Sequence, residues 1–121
     1  MRFTQDHQWI ELDGDFAMLG VTAYAAEQLG DIIEVALPAA GQALAAGAAM
    51  TRVEGVNTRA ELAAPVDGEV IEVNADLLDE PELINTAPES LGWFVKLKPT
   101  DPKQVDALMN RTAYEAYLDS L

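Results

Sequence analysis

The segment from residue 53 to residue 70 constrains the fold of this chain more than any other. Val53-Glu54-Gly55-Val56-Asn57-Thr58 predicts a strand that runs into a tight tip, after which the chain returns as a second strand. Ala64-Pro65-Val66-Asp67-Gly68 then brings proline and glycine into a turn that opens a further strand. A hairpin followed directly by a turn and another strand is typical of an antiparallel β domain.

Short strands and frequent turns recur along the chain. Residues 9 to 12 and 16 to 21 predict two strands, and Asp13-Gly14-Asp15 between them is a hairpin signal. Residues 32 to 37 form a β-branched run that Pro38 stops. The sequence therefore predicts a flattened barrel or sandwich of small antiparallel sheets.

Three short helices are expected around these sheets. Thr22 can cap a helix that continues to Leu29, where Gly30 supplies the left-handed residue that ends it. Asp101-Pro102-Lys103-Gln104 combines a cap residue, a proline at the first helical position and a glutamine three residues after the cap. Thr112-Ala113-Tyr114-Glu115 is a second capping box. Apolar residues at helical spacing follow these last two signals: Val105, Leu108 and Met109, then Tyr114, Tyr117, Leu118 and Leu121.

Residues 39 to 49 are rich in alanine and leave two structures open. Their propensity allows a helix, whereas their glycines, at positions 41 and 47, favour a loop with a short strand. No linker interrupts the chain, so residues 1–121 are expected to form a single domain.

Composition excludes several classes of function. The net charge is -14 with only seven basic residues, too few to neutralise a nucleic acid backbone or an anionic membrane. The acidic excess steers basic protein surfaces toward the domain, or is simply a solvated surface. The chain has no cysteine, which excludes disulfides and thiol chemistry. No run of eighteen apolar residues and no signal-peptide pattern occur, so a cytoplasmic location is expected.

Blocks spread over nearly the whole chain resemble the glycine cleavage system H protein family, and they occur in the family's order. The family consists of small carriers that move an aminomethyl group on a swinging lipoyl arm. The resemblance implies a lipoyl-domain-like barrel-sandwich hybrid and, as partners, glycine cleavage enzymes or lipoylation enzymes. The blocks are His7-Gln8-Trp9-Ile10, residues 20 to 25 with 28 to 32, the hairpin segment 53 to 58 with 64 to 70, residues 69 to 74, Pro81-Glu82-Leu83-Ile84-Asn85 and residues 92 to 99.

Asn57 stands where the family motif has its lysine. Lipoate is attached as an amide of a lysine ε-amine, whose neutral form is a nucleophile, whereas the nitrogen of an asparagine amide is delocalised into its carbonyl. Arg59 is no substitute, because its guanidinium stays protonated. The chain is therefore expected to carry no lipoate, and Asn57 has the bland alternative of a turn residue that tolerates left-handed backbone angles. The lysines lie elsewhere in the sequence: Lys96, Lys98 and Lys103.

The residues around this position differ from the family as well. Gln8 replaces a glutamate that helps to hold the aminomethyl end of the arm, which removes a charge-assisted partner for an amine. Gly55 replaces a serine and is expected to add backbone freedom, while Thr58 and Arg59 replace small residues. Glu61 stands where the family usually has an aspartate. Together these changes favour a natural, non-carrying paralogue over a carrier whose lysine was replaced by engineering. The predicted site comprises Asn57 with its neighbours Gln8, Glu54, Gly55, Val56 and Glu61.

The remaining candidates favour structural roles. His7 is the only histidine, so it forms no histidine metal cluster, and it is expected to bond to the hairpin or to a backbone carbonyl. Aromatic residues bury large areas in small β domains, so Trp9, Trp93 and Phe94 are expected as core anchors. Some pair of carboxylates in an acidic chain falls at a glycosidase-like separation by chance. The carboxylates considered are Glu34, Glu54, Glu61, Asp67 and Glu69.

Three functions of different classes follow from these observations. The first is a monomeric binding module that docks to glycine cleavage or lipoylation proteins without lipoate. The second is an active aminomethyl carrier, which the missing amine disfavours. The third is an enzyme that uses carboxylates, for which a ligand held between Gln8, Asn57 and Glu61 would be the sign.

Overall fold

The computed structural model describes residues 1–121 and consists of two antiparallel sheets with five short helices. The larger sheet has the strand order β1-β2-β3-β9-β8-β5, and the smaller one has the order β4-β6-β7. The strands are β1 (Arg2–Phe3), β2 (Gln8–Asp13), β3 (Phe16–Val21), β4 (Ile32–Ala36), β5 (Ala43–Leu44), β6 (Ala49–Gly55), β7 (Arg59–Ala63), β8 (Gly68–Val73) and β9 (Val95–Pro99). The helices are α1 (Ala23–Leu29), α2 (Asp76–Asp79), α3 (Leu83–Thr86), α4 (Lys103–Asp106) and α5 (Arg111–Asp119).

This architecture confirms the predicted sandwich of small antiparallel sheets. Neither sheet closes on itself, so the structure is a sandwich of two open sheets and not a closed barrel. Each predicted strand is present, and residues 39 to 49 form a loop with the short strand β5, as the two glycines indicated. None of the five helices is long and apolar enough to span a membrane.

The main core lies between the two sheets. It is built from the inward-facing residues of the strands, among them Leu19, Val53, Val70 and Leu97. Phe94 also belongs to this core, whereas Trp93 is only partly buried. Alternating inward and outward residues are what a pleated strand requires when one face is buried. The packing of apolar residues between the sheets therefore fixes the register of the hairpins.

A second, smaller core joins the first strands to the C-terminal helix. It consists of Phe3, Trp9 and Tyr114, with the rings of Phe3 and Tyr114 stacked at 4.6 Å between centroids. The indole N–H of Trp9 donates to the carbonyl of Pro88 at 2.9 Å. Gly20 on the neighbouring strand is required here, because a Cβ atom at that position would lie 2.7 Å from the indole nitrogen.

The helix ends confirm some of the predicted caps and correct others. Thr22 caps α1 as expected, accepting from the N–H of Ala25. The cap of α5 is Asn110 rather than Thr112, because Asn110 accepts from the N–H of Ala113 and the helix begins two residues earlier than predicted.

The capping box predicted at Asp101 is only half formed. The Asp101 carboxylate accepts from the N–H of Lys103, as a cap should. Gln104, however, turns away from the helix start: its amide donates to Asp67 and its oxygen accepts from the Asp67 N–H. Gln104 therefore ties α4 to the turn before β8 instead of closing a box.

Candidate functional site

The β6–β7 hairpin carries the candidate site at its tip. Arg52 pairs with Glu61 and Glu54 pairs with Arg59 across the two strands. The N–H of Gly55 donates to the carbonyl of Thr58 at 2.9 Å and closes the turn. Residues 56 to 58 are exposed, so the structure places Asn57 at the exposed tip that the sequence predicts.

The backbone of Asn57 does not adopt a left-handed conformation. Among the residues other than glycine, only His7 has a positive φ, so the expected reason for an asparagine at the tip is wrong. The Asn57 side chain also makes no hydrogen bond, although its backbone does. The residue type at position 57 is thus not demanded by the geometry of the turn.

The backbone of the tip is bound to the C-terminal end of α1. The N–H of Asn57 donates to the carbonyl of Leu29 at 3.1 Å, and the N–H of Val56 donates to the carbonyl of Asp31 at 2.9 Å. Residues 29 to 32 form the receiving loop for the tip, and Asn85 braces it: the Asn85 amide donates to the Gly30 carbonyl at 2.8 Å and its oxygen accepts from the N–H of Ile32 at 2.9 Å. The tip is therefore held by main-chain contacts with a braced loop.

Gly55 restricts the hairpin instead of loosening it, so the expectation of added backbone freedom is wrong. A Cβ atom at position 55 would lie 2.8 Å from the carbonyl carbon of Leu29 and closer still to its oxygen. Its φ is not in the left-handed region, so close approach and not unusual backbone geometry demands the glycine. Gly30 makes a matching approach, since a Cβ there would lie 2.7 Å from the Nδ2 atom of Asn57.

Gln8 is buried between the two sheets and does not face the tip. Its side chain is 1% exposed, and its Nε2 atom donates to the carbonyl of Ala63 at 2.8 Å. The Oε1 atom is buried with no partner. Gln8 thus ties β2 of the larger sheet to β7 of the smaller one, through a donor that a carboxylate does not have.

The predicted site residues Glu54 and Glu61 lie on the outer face of the smaller sheet. A cavity of about 250 Å³ is lined by Glu34, Ala36, Arg52, Glu54 and Arg59, and a second one of about 280 Å³ includes Glu61. Neither Gln8 nor Asn57 lines any of the cavities, so the structure does not bring Gln8, Asn57 and Glu61 around one pocket. Glutamates opposite arginines in neighbouring strands are what a solvated sheet face uses for cross-strand attraction.

Asp67 and Glu69 are engaged elsewhere. The N–H of Ala46 and the amide of Gln104 both donate to Asp67 and hold the pKa of that carboxyl below its usual value. Glu69 lies opposite Lys98 in the β8–β9 pair. A carboxylate held ionised in this way is a poor proton donor, which gives no support to acid–base catalysis by this group.

The structure also forms one cluster that the sequence did not predict. The Nδ1 atom of His7 lies 2.9 Å from the hydroxyl of Tyr114, and that hydroxyl lies 2.8 Å from the hydroxyl of Thr22. The rings of Tyr24 and Tyr117 pack against the imidazole, so the only histidine meets all three tyrosines. Its partner is a side-chain hydroxyl and not the hairpin or a backbone carbonyl as expected. The helical spacing of Tyr114 and Tyr117 was the available signal.

Burial shapes the proton affinity of this cluster. Burial lowers the pKa of His7, and the nearby charge of Asp6 opposes this effect. Burial also raises the pKa of Tyr114. His7 therefore tends to stay neutral, which suits a histidine that shares a hydrogen bond with a neutral phenol. The cluster links the residue before β2, the cap of α1 and helix α5.

Comparison with known proteins identifies the family. The family model described as Glycine cleavage H-protein matches residues 1–121. The chain belongs to this family. It is 51% identical over its full length to the glycine cleavage system H protein of Caulobacter vibrioides, with 100% of each chain covered. It is also 48% identical to the H protein of Phenylobacterium zucineum, with 98% of each chain covered.

A solved structure agrees with the sequence relatives. The crystal structure of a glycine cleavage system H protein from Mycobacterium marinum matches this family member with a TM-score of 0.87 and 34% identity, covering 98% of this chain and 95% of that one. The likeness in fold therefore extends over nearly the whole domain.

The prosthetic group that the family implies does not fit the residues present at the tip. An amide bond to lipoate needs an amine at position 57, and Asn57 offers a delocalised amide nitrogen. The nearest cation in sequence, Arg59, lies in β7 opposite Glu54 and has no nucleophilic nitrogen. The residues at this tip therefore do not fit an amide-linked lipoyl group.

Proposed function

We propose that this H-protein family member is a non-carrying module that binds glycine cleavage or lipoylation proteins without lipoate. The observation that carries the proposal is Asn57 at the exposed tip of an otherwise intact hairpin. The fold that presents the tip is kept, while the one chemical group needed for the arm is absent. A monomeric state and a cytoplasmic location are part of this proposal and are still predictions.

The burial of Gln8 and the close packing of Gly55 favour natural divergence over engineering. Replacement of one lysine in a carrier would change the tip and nothing else. Here Gln8 makes a bond that an ionised glutamate is unable to donate, and Gly55 makes a contact that serine is too large for. Gln8 and Gly55 therefore both suit the packing of this domain. Such matched residues are expected when a natural chain has diverged under selection after losing the lipoyl arm.

A reconstitution with the purified glycine cleavage enzymes tests the proposal. We expect the chain to bind at least one of them, and to support no glycine oxidation when it is the sole H protein. The Asn57→Lys variant is the matched control, because it differs only at the acceptor. Glycine oxidation supported by the unaltered chain would refute the non-carrying role, and no binding to any of these enzymes or to lipoylation enzymes would refute the docking role.

A further inference from the structure

The carbonyl of Leu29, in the C-terminal turn of α1, contacts the hairpin at two residues, Gly55 and Asn57. The Leu29 oxygen lies where a Cβ atom of residue 55 would be, and the same oxygen accepts the N–H of Asn57 at 3.1 Å. A side chain at position 55 would overlap this oxygen, so the hairpin and the end of α1 would have to move apart. The bond that holds the backbone of Asn57 would then be lost in the same movement.

The receiving loop has little freedom to make room by itself. Gly30 has a φ of 74° and its N–H donates to the carbonyl of Glu27, which fixes the end of the helix. Asn85 bridges the backbone on both sides of Asp31, whose own carbonyl accepts from Val56. The hairpin, which ends in the exposed tip, is therefore the part that has to move when position 55 gains a side chain.

From this geometry we propose that Gly55 is a specificity-determining residue: it lets the tip close onto α1, and the closed tip is a second barrier to lipoate attachment besides the missing amine. The proposal rests on the proposed non-carrying function. An attaching enzyme must draw the side chain of residue 57 into its own site, and here the backbone of that residue is bound to Leu29. The side chain itself lies against Gly30, where there is no room for a Cβ atom.

Two acceptor variants separate this barrier from the missing amine. Asn57→Lys supplies the amine on the closed tip, and Asn57→Lys with Gly55→Ser supplies it on a tip that the serine forces away from Leu29. We expect a lipoate–protein ligase, with ATP and lipoate, to modify the double variant about tenfold faster. Two main-chain hydrogen bonds of ordinary net strength are enough to bias an open–closed equilibrium by that factor. Initial rates are read by intact-mass spectrometry.

Amide hydrogen exchange tests the closed tip in the unaltered chain, without any variant. We expect the N–H groups of Val56 and Asn57 to be protected, in contrast to that of a freely exposed turn. In Gly55→Ser the exchange of these two groups should rise about tenfold, while the N–H of Val53, within the β6–β7 ladder, reports that the hairpin is still folded. Unprotected Val56 and Asn57 amides in the unaltered chain would overturn the proposal, whatever the fate of the variants.

The outcomes distinguish this inference from the function on which it rests. Equal modification rates for the single and double variants would refute the barrier at Gly55 and leave the non-carrying function intact. Modification of the unaltered chain at the tip would refute the proposed function. A faster double variant together with protected tip amides supports the barrier.

Discussion

Replacement of Gln8 by glutamate is expected to destabilise the domain at neutral pH. Gln8 is 1% exposed and its amide donates to the Ala63 carbonyl at 2.8 Å. An ionised glutamate would set a carboxylate oxygen against that carbonyl oxygen, and no cation or donor is bonded to the group from the other side. The change loses one hydrogen bond and buries an unpaired charge, at a cost of about 3 kcal/mol near pH 7.

The loss of stability in Gln8→Glu should depend on pH, and it should be larger at neutral pH than at acidic pH. Burial raises the folded-state pKa of a glutamate at position 8 above its unfolded value of about 4.3. The folded variant then binds more protons than the unfolded one, so its stability is greatest below the unfolded pKa and falls as the pH rises through the folded one. A protonated glutamate can donate to Ala63, and the cost at pH 4 should shrink to about 1 kcal/mol.

Urea unfolding of Gln8→Glu and the unaltered chain at pH 4 and pH 7.5 measures the difference. Gln8→Met is the matched control, because it removes the same donor without adding a charge and should cost about 1–2 kcal/mol at both pH values. Equal stability of the glutamate variant and the unaltered chain at pH 7.5 would show that position 8 reaches solvent and that the cross-sheet bond is unimportant.

Three further results are expected. Asn57→Lys should change the free energy of unfolding by no more than about 0.5 kcal/mol, because the side chain is exposed and unbonded, and thermal unfolding checks this. Tyr114→Phe should cost about 1–2 kcal/mol in urea unfolding, because it removes the hydroxyl that joins His7 and Thr22; a neutral result would contradict that linkage. Since burial lowers the pKa of His7 below its ordinary 6.5, the folded protein binds fewer protons there, so stability should decline as the pH falls through 6.5 and level off once folded His7 is protonated. His7→Gln should flatten this part of the pH profile, and an unchanged slope would assign it to another group.

The elements with strong local signals could be predicted from the sequence. The β6–β7 hairpin, the Asp13-Gly14-Asp15 turn and the Thr22 cap depend on residues within a few positions of one another. Helices α2 and α3 are not predicted, because each has only four residues and no side chain caps its start; α4 is equally short but follows the Asp101-Pro102 signal. The start of α5 was misplaced because Asn110 and Thr112 are both good caps. Asn110 is the cap in the structure. It directly follows Met109, whose backbone exchanges two hydrogen bonds with that of Phe3.

The roles of the site residues needed the fold. Gly55 meets Leu29, which lies 26 positions earlier, and Gln8 meets Ala63, which lies 55 positions later. Local sequence gave no sign of either contact, and a glycine beside a tip ordinarily indicates freedom of the backbone. The chemistry at Asn57 is different in kind, because the lack of an amine follows from the residue type alone.

The intact mass of the protein purified from its own cells tests the central claim most directly. No variant or added enzyme is needed, and the natural lipoylation proteins have had access to the hairpin. The account predicts the mass of the unmodified chain, as an asparagine at the tip requires. A lipoyl group on the chain, and above all one mapped to the β6–β7 hairpin, would contradict it.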